Sequence, residues 1–183
     1  MPQTQNSGQA LARTYNNDFD LKTLNVAGTS YTFGYDNDRL LTSAGALAIG
    51  RDAANGFVKT TQLGGIATAQ TYTAFGELQQ YQVTQGGITL LFQTYSYDKL
   101  GRITQKLEAV QGQTDSYGYG YDTAGRLATV SKNGAVITTY GYDANGNRTG
   151  QTDPRGNTTT FDHDAQNRRT MRTLPDDKFE EWT

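Results

Sequence analysis

From Tyr117 to Tyr121 rings and glycines alternate strictly, as Tyr117-Gly118-Tyr119-Gly120-Tyr121. A period of two puts three rings on one face of an extended strand and the glycines on the other. Asp122 to Gly125 then carries the signature of a type I turn. The Asp bonds the turn backbone, and the Gly takes the left-handed conformation. Arg126-Leu127-Ala128-Thr129-Val130 reads as the return strand. It ends at Asn133-Gly134, the strongest short hairpin signal. Ala135 to Tyr142 leads into the next Asp turn. Ala27-Gly28, Gly64-Gly65 and Gly86-Gly87 read as the matching second turns of earlier units.

The pattern repeats. Tyr97-Asp98-x-x-Gly101-Arg102 recurs as Tyr121-Asp122-x-x-Gly125-Arg126. It recurs again, read with one residue inserted before the Arg, as Tyr142-Asp143-x-x-Gly146-x-Arg148. Phe161-Asp162-His163-Asp164 opens a decayed copy. Tyr35-Asp36-Asn37-Asp38-Arg39 is read as one residue short and lacks the Gly. Weaker copies stand at Tyr15-Asn16, Arg51-Asp52 and Tyr72-Thr73. About eight units are expected over residues 15–173, after an N-terminal extension at 1–14 and before the start of a further, truncated unit at 174–183. Each unit predicts two strands of about seven residues, roughly 23 Å long. The fold expected is all-β: tandem antiparallel hairpins, about 16 strands and about 75 Å of ribbon, curling because open sheets twist. One face is expected to carry rings and aliphatics, the other Gly, Thr, Ser, Arg and Lys.

Composition agrees with a turn-rich β chain. The 183 residues include 21 Gly and 12 Tyr, and 19% are charged. The length allows one or two domains with a real core. There is no Cys, which excludes disulfides, Cys-based metal sites and a thiol nucleophile. A net charge of -2 argues against nucleic-acid binding by bulk charge. The longest apolar run, Ala44 to Ile49, is too short to span a membrane, and the N-terminus has no apolar signal-peptide core.

On Tyr97-Asp98-Gly101-Arg102, Tyr121-Asp122-Gly125-Arg126 and Tyr142-Asp143-Gly146-Arg148 the chain resembles YD-repeat proteins of the Rhs family. These include bacterial polymorphic toxins, the cocoon components of Tc toxins and the animal teneurins. The resemblance implies a strip of hairpins that winds into a hollow β shell, often around a C-terminal toxic polypeptide, in a secreted or cell-surface protein, here expected to be bacterial. Family shells are several times longer, and this chain stops mid-unit at Phe179 to Thr183. It is therefore expected to be a fragment or a short open-ended relative. Its partners would be the rest of a larger YD chain or identical copies meeting head to tail into a filament, with an enclosed toxin polypeptide.

The residues that could carry chemistry have bland readings that outweigh the sharp ones. The row of Asp98, Asp122 and Asp143 could gather cations, but the calcium-loop spacing and its closing Glu are missing, so turn formation is expected. Arg102, Arg126 and Arg148 are expected to lie on a neighbouring Tyr or pair with a turn Asp. Tyr117, Tyr119 and Tyr140 are the candidates for stacking a carbohydrate, against ordinary ring packing. The single His163 stands at a Tyr position with no activating partner. Arg168, Arg169 and Arg172 read as a solvated basic face. Asp153-Pro154-Arg155-Gly156-Asn157 is similar to the segment at which some family members cut themselves. Asn157 replaces the usual Leu, and another repeat follows, so an ordinary turn is expected. Asn147-Arg148-Thr149 and Asn157-Thr158-Thr159 are sequons that matter only in a eukaryotic secretory host. No catalytic, cofactor or metal site is expected.

Overall fold

The computed structural model describes residues 11–182. The expected N-terminal extension lies outside the described residues up to residue 10, and Thr183 also lies outside them. Two compact units divide the chain, residues 1–91 and 92–183. The first contains β1 (Leu11–Tyr15), β2 (Leu21–Val26), β3 (Thr29–Tyr35), β4 (Leu41–Ala44), β5 (Leu47–Arg51), β6 (Val58–Leu63), β7 (Ile66–Tyr72) and β8 (Leu78–Gln85). The division falls within β9 (Ile88–Tyr97). The second contains β10 (Ile103–Val110), β11 (Gln113–Tyr121), β12 (Leu127–Lys132), β13 (Ala135–Tyr142), β14 (Arg148–Thr152), β15 (Thr158–His163), β16 (Arg169–Thr173) and β17 (Phe179–Glu181). None of the described residues is helical. From β1 to β8 and from β10 to β17, each strand pairs antiparallel with the next and touches no other element of its unit. The fold is all-β, as the alternation of rings and glycines predicts.

The two edges of each meander use different turns. On one edge the turns open at Asn16, Asp36, Asp52 and Thr73 in the first unit, and at Asp98, Asp122, Asp143 and Asp164 in the second. Two-residue turns occupy much of the opposite edge. At Asn133-Gly134 both residues have positive φ, 51° and 84°, the type I′ geometry that matches strand twist. Gln111-Gly112 does the same at 49° and 85°. The sequence reading missed this turn because Gln carries no turn signal. It also missed the β4–β5 turn at Gly45, hidden inside an apolar run.

The ladder slips by one residue just before the Asp-type turns. Gly120 pairs with Thr129, yet Tyr121 pairs with Leu127. The same slip occurs at Gly34/Tyr35, Thr71/Tyr72, Gly141/Tyr142 and Asp162/His163. A bulge of this kind re-aims the side chain beside it, here the Tyr or His that precedes the turn.

The glycines between the rings have a steric reason. A Cβ on Gly118 would sit 2.6 Å from Ser131 Oγ, and one on Gly34 would sit 2.5 Å from Ser43 Oγ. On Gly120 it would meet Thr129 Oγ1, and on Gly50 Thr60 Oγ1, closer still. These hydroxyl residues are the ladder partners of the glycines. A neighbouring strand therefore fills the volume that the Gly leaves open.

Two expectations are corrected. The real core is absent: among the described residues only Phe161, 5% exposed, is a buried hydrophobic. Strands that touch only sequence neighbours form single layers, and a layer alone cannot bury its faces. The sorting of Arg and Lys away from the rings also fails. Lys106, Tyr117 and Lys132 are opposite one another across β10, β11 and β12, so they share a face.

Candidate functional site

The conspicuous residues converge on the Asp-turn edge. At Asp98 one carboxylate oxygen accepts the backbone N–H groups of Leu100 (2.8 Å) and Arg102 (3.0 Å). The other accepts Arg102 Nε at 2.7 Å. Gly101 N–H closes the turn onto Asp98 C=O at 3.1 Å. Asp122 repeats the arrangement with Ala124 (3.0 Å), Arg126 N–H (2.8 Å) and Arg126 Nε (2.7 Å). Asp164 repeats it with Gln166 and Arg168, both backbone N–H groups at 2.9 Å. A short carboxylate that bonds its own turn is the usual reason for Asp at this position.

Arg102 and Arg126 also reach into the next unit. The Arg102 guanidinium lies 4.4 Å from the Tyr121 ring centre, and that of Arg126 lies 4.6 Å from Tyr142. Arg126 Nη1 donates to Asp143 C=O at 2.8 Å. The rings are anchored in turn. Tyr121 donates its hydroxyl to Ile103 C=O (2.7 Å), and Tyr142 to Leu127 C=O (2.8 Å), the first residue of the preceding strand in each case. Tyr72 and Tyr35 do the same with Val58 (2.9 Å) and Leu21 (3.1 Å). Asp98, Arg102, Tyr121, Asp122, Arg126, Tyr142 and Asp143 thus form one continuous polar and stacked chain. Gly125 is favoured by its φ of +83°, and a Cβ there would also press on Arg102 Nη1 at 3.2 Å.

Two repeat copies align differently from the sequence reading. No residue is inserted before Arg148. Asn147 occupies the Arg position, donating its backbone N–H and its side-chain Nδ2 to Asp143, each at 2.8 Å. Arg148 opens β14 and lies over Phe161 (4.7 Å) and Tyr140 (5.6 Å). The Asp36 copy is not short either. Arg39 takes the Gly position with φ 62°, Leu40 N–H bonds Asp36, and the Arg39 guanidinium turns back to Asp20 and to Asp18 C=O. Asp153 forms a turn of the same kind, with Arg155 N–H at 2.8 Å and Asn157 N–H at 2.9 Å, on the opposite edge from Asp143 and Asp164.

The electrostatics follow from these bonds. The Arg102 guanidinium holds the Asp98 carboxyl below its ordinary range. The backbone N–H of Arg126, then its guanidinium, does so for Asp122, and the Asn147 side-chain amide does so for Asp143. Asp164 is lowered by the backbone N–H of Arg168. These groups are ionised acceptors committed to their turns, which is the opposite of a carboxyl poised to exchange protons near neutrality. Among the described residues no three His, Asp or Glu side chains converge as a metal site. His163 closes β15 at the Tyr position, with Nδ1 buried and unpartnered.

The candidate stacking rings have neighbours within the chain. Lys106 lies 4.5 Å and Lys132 5.5 Å from the Tyr117 ring centre, on the strands to either side. Each ammonium is paired, Lys106 with Glu108 (2.9 Å) and Lys132 with Asp115 (2.8 Å). Tyr119 is half-buried opposite Val130.

The Teneurin YD-shell family matches residues 4–175. Comparison with curated proteins finds no match. Among solved structures, the crystal structure of TcdB2-TccC3-TEV is 17% identical with a TM-score of 0.73, covering 87% of this chain and 10% of that one. TcdB2-TccC3-Cdc42 is 14% identical with a TM-score of 0.66, covering 90% of this chain and 12% of that one. At these identities the likeness is one of fold. The chain spans about a tenth of the length of the chains it matches.

Proposed function

The chain belongs to the Teneurin YD-shell family, and from that premise we propose that it is a non-catalytic wall segment of a larger extracellular or cell-surface YD-repeat shell that encloses a polypeptide. One observation carries this reading. The repeated turn and ring residues are tied up in holding one unit to the next: the turn aspartates in their turns, Arg102 and Arg126 on the following Tyr, and those Tyr hydroxyls on backbone carbonyls. A wall needs this economy, whereas an active site needs at least one group left over for substrate. The neighbours of Tyr117 are likewise internal, which supports a structural use of that ring.

The test is electron microscopy of the purified chain with light scattering on the same sample. Dispersed particles of the monomer mass are expected, because a wall segment continues into the rest of its own shell. Filaments with a regular repeat would replace this reading with self-assembly through strand edges. A hydrolytic activity abolished by replacing one turn Asp would overturn the non-catalytic part.

A further inference from the structure

The second unit contains a basic pocket that the turn network does not use. Three arginines from two strands surround the buried Phe161. Arg148 opens β14, while Arg169 and Arg172 lie on β16, Arg172 being the ladder partner of Phe161. The guanidiniums of Arg148 and Arg169 lie 4.7 and 4.5 Å from the Phe161 ring centre. With Gln151 and Thr159 these residues line a cavity of about 260 Å³.

The charge balance distinguishes this place from the arginines of the Asp-turn edge. Arg39, Arg102, Arg126 and Arg168 each have an Asp partner. Among the described residues neither Arg148 nor Arg169 has a carboxylate within ion-pair distance; the one polar side-chain contact of Arg148 is Gln151 Oε1 at 3.4 Å. Arg172 reaches only Glu180, at 3.5 Å and outside the cavity lining. Three permanent cations therefore face one small cavity that no carboxylate lines. Like charges held together repel, and a bound anion relieves that repulsion. A guanidinium lying on a ring is positioned in advance and keeps its N–H edge for a ligand. Three cations with a neutral amide and a hydroxyl match a doubly charged tetrahedral group better than a monoanion. The cavity has ample room for such a group, though it is below the usual size of a drug-like pocket.

We infer that the pocket of Arg148, Arg169 and Arg172 over Phe161 binds a dianionic oxyanion, a phosphate or sulfate group.

The test is calorimetric titration of the full chain at low salt and pH 8 with inorganic phosphate, sulfate, and acetate as the monoanion. Saturable binding of phosphate or sulfate is expected, at least tenfold tighter than acetate. Arg148→Gln and Arg169→Gln should each weaken it at least tenfold. Arg172→Gln, which leaves both guanidiniums on the ring, should fold normally and still bind more weakly. Arg168→Gln is the control, since that side chain is 76% exposed and paired with Asp164; it should leave binding unchanged. Absence of saturable heat with both dianions, acetate binding as tightly as sulfate, or Arg172→Gln binding like the unsubstituted chain would each overturn the assignment.

Discussion

Replacing Gly120 by Ala tests the claim that neighbouring hydroxyl side chains fill the glycine positions. The new Cβ would collide with Thr129 Oγ1 on the paired strand. Thr129 must leave its rotamer, at about 0.5–1.5 kcal/mol, or the strands must part, at about 1–3 kcal/mol as in other overpacked sites. Against this, Ala in place of Gly in a strand gains about 0.5–1 kcal/mol. By this balance Gly120→Ala should have a net cost of about 0–2.5 kcal/mol if the strands part, and a net effect between about −0.5 and 1 kcal/mol if Thr129 rotates. In a Thr129→Ala background the obstacle is gone, and the same substitution should be neutral or stabilising. The coupling energy between the two sites should therefore equal the collision cost, about 0.5–3 kcal/mol. The assay is urea unfolding of the four proteins of the cycle, read as midpoints and slopes. Gly150→Ala is an internal control, because a Cβ there meets nothing within 4 Å. A coupling under about 0.5 kcal/mol, within the additivity error, would refute the reasoning. So would a Gly150→Ala cost equal to that of Gly120→Ala.

Tyr142→Phe removes the hydroxyl bond to Leu127 C=O and should cost about 1 kcal/mol in urea unfolding. Gln111→Asn should stabilise by a few tenths of a kcal/mol, read the same way, because Asn tolerates the left-handed conformation of φ 49° better than Gln. Asp98, Asp122, Asp143, Asp153 and Asp164 all have carboxyls lowered in the folded state. Their contribution to stability is present above the unfolded value of about 3.9 and is lost as pH falls through the lower folded values. The thermal midpoint should therefore be flat from pH 7 to about 5 and fall below about pH 4; a midpoint that rises on acidification would contradict this. Asp122→Asn removes one such carboxylate and should lower the neutral-pH midpoint while flattening the acid limb.

Local rules made most of the fold legible. Asp and Gly at fixed separation specify a turn by bonds within five residues, and rings alternating with glycines specify a strand. What failed to read correctly depended on which residue meets which across the ladder. Arg148 looked like a shifted copy of Arg126, yet Asn147 bonds Asp143 and Arg148 turns to Phe161. Arg39 looked like the signature Arg, yet it occupies the Gly corner and pairs with Asp20. Lys106 and Lys132 looked like residues of the polar face, yet the register places them beside Tyr117.

The sequence by itself determined the repeat, the two kinds of edge and the all-β class, because each is set by contacts within a few residues. Tertiary structure decided what the repeated residues touch. Strand register and the bulge before the Asp-type turns bring together residues some 17 to 20 positions apart, such as Arg126 with Asp143 and Asn147 with Asn167. No local propensity encodes those distances. The same register brings Arg148, Arg169 and Arg172 around one ring, where strands that touch only their neighbours bury almost nothing else.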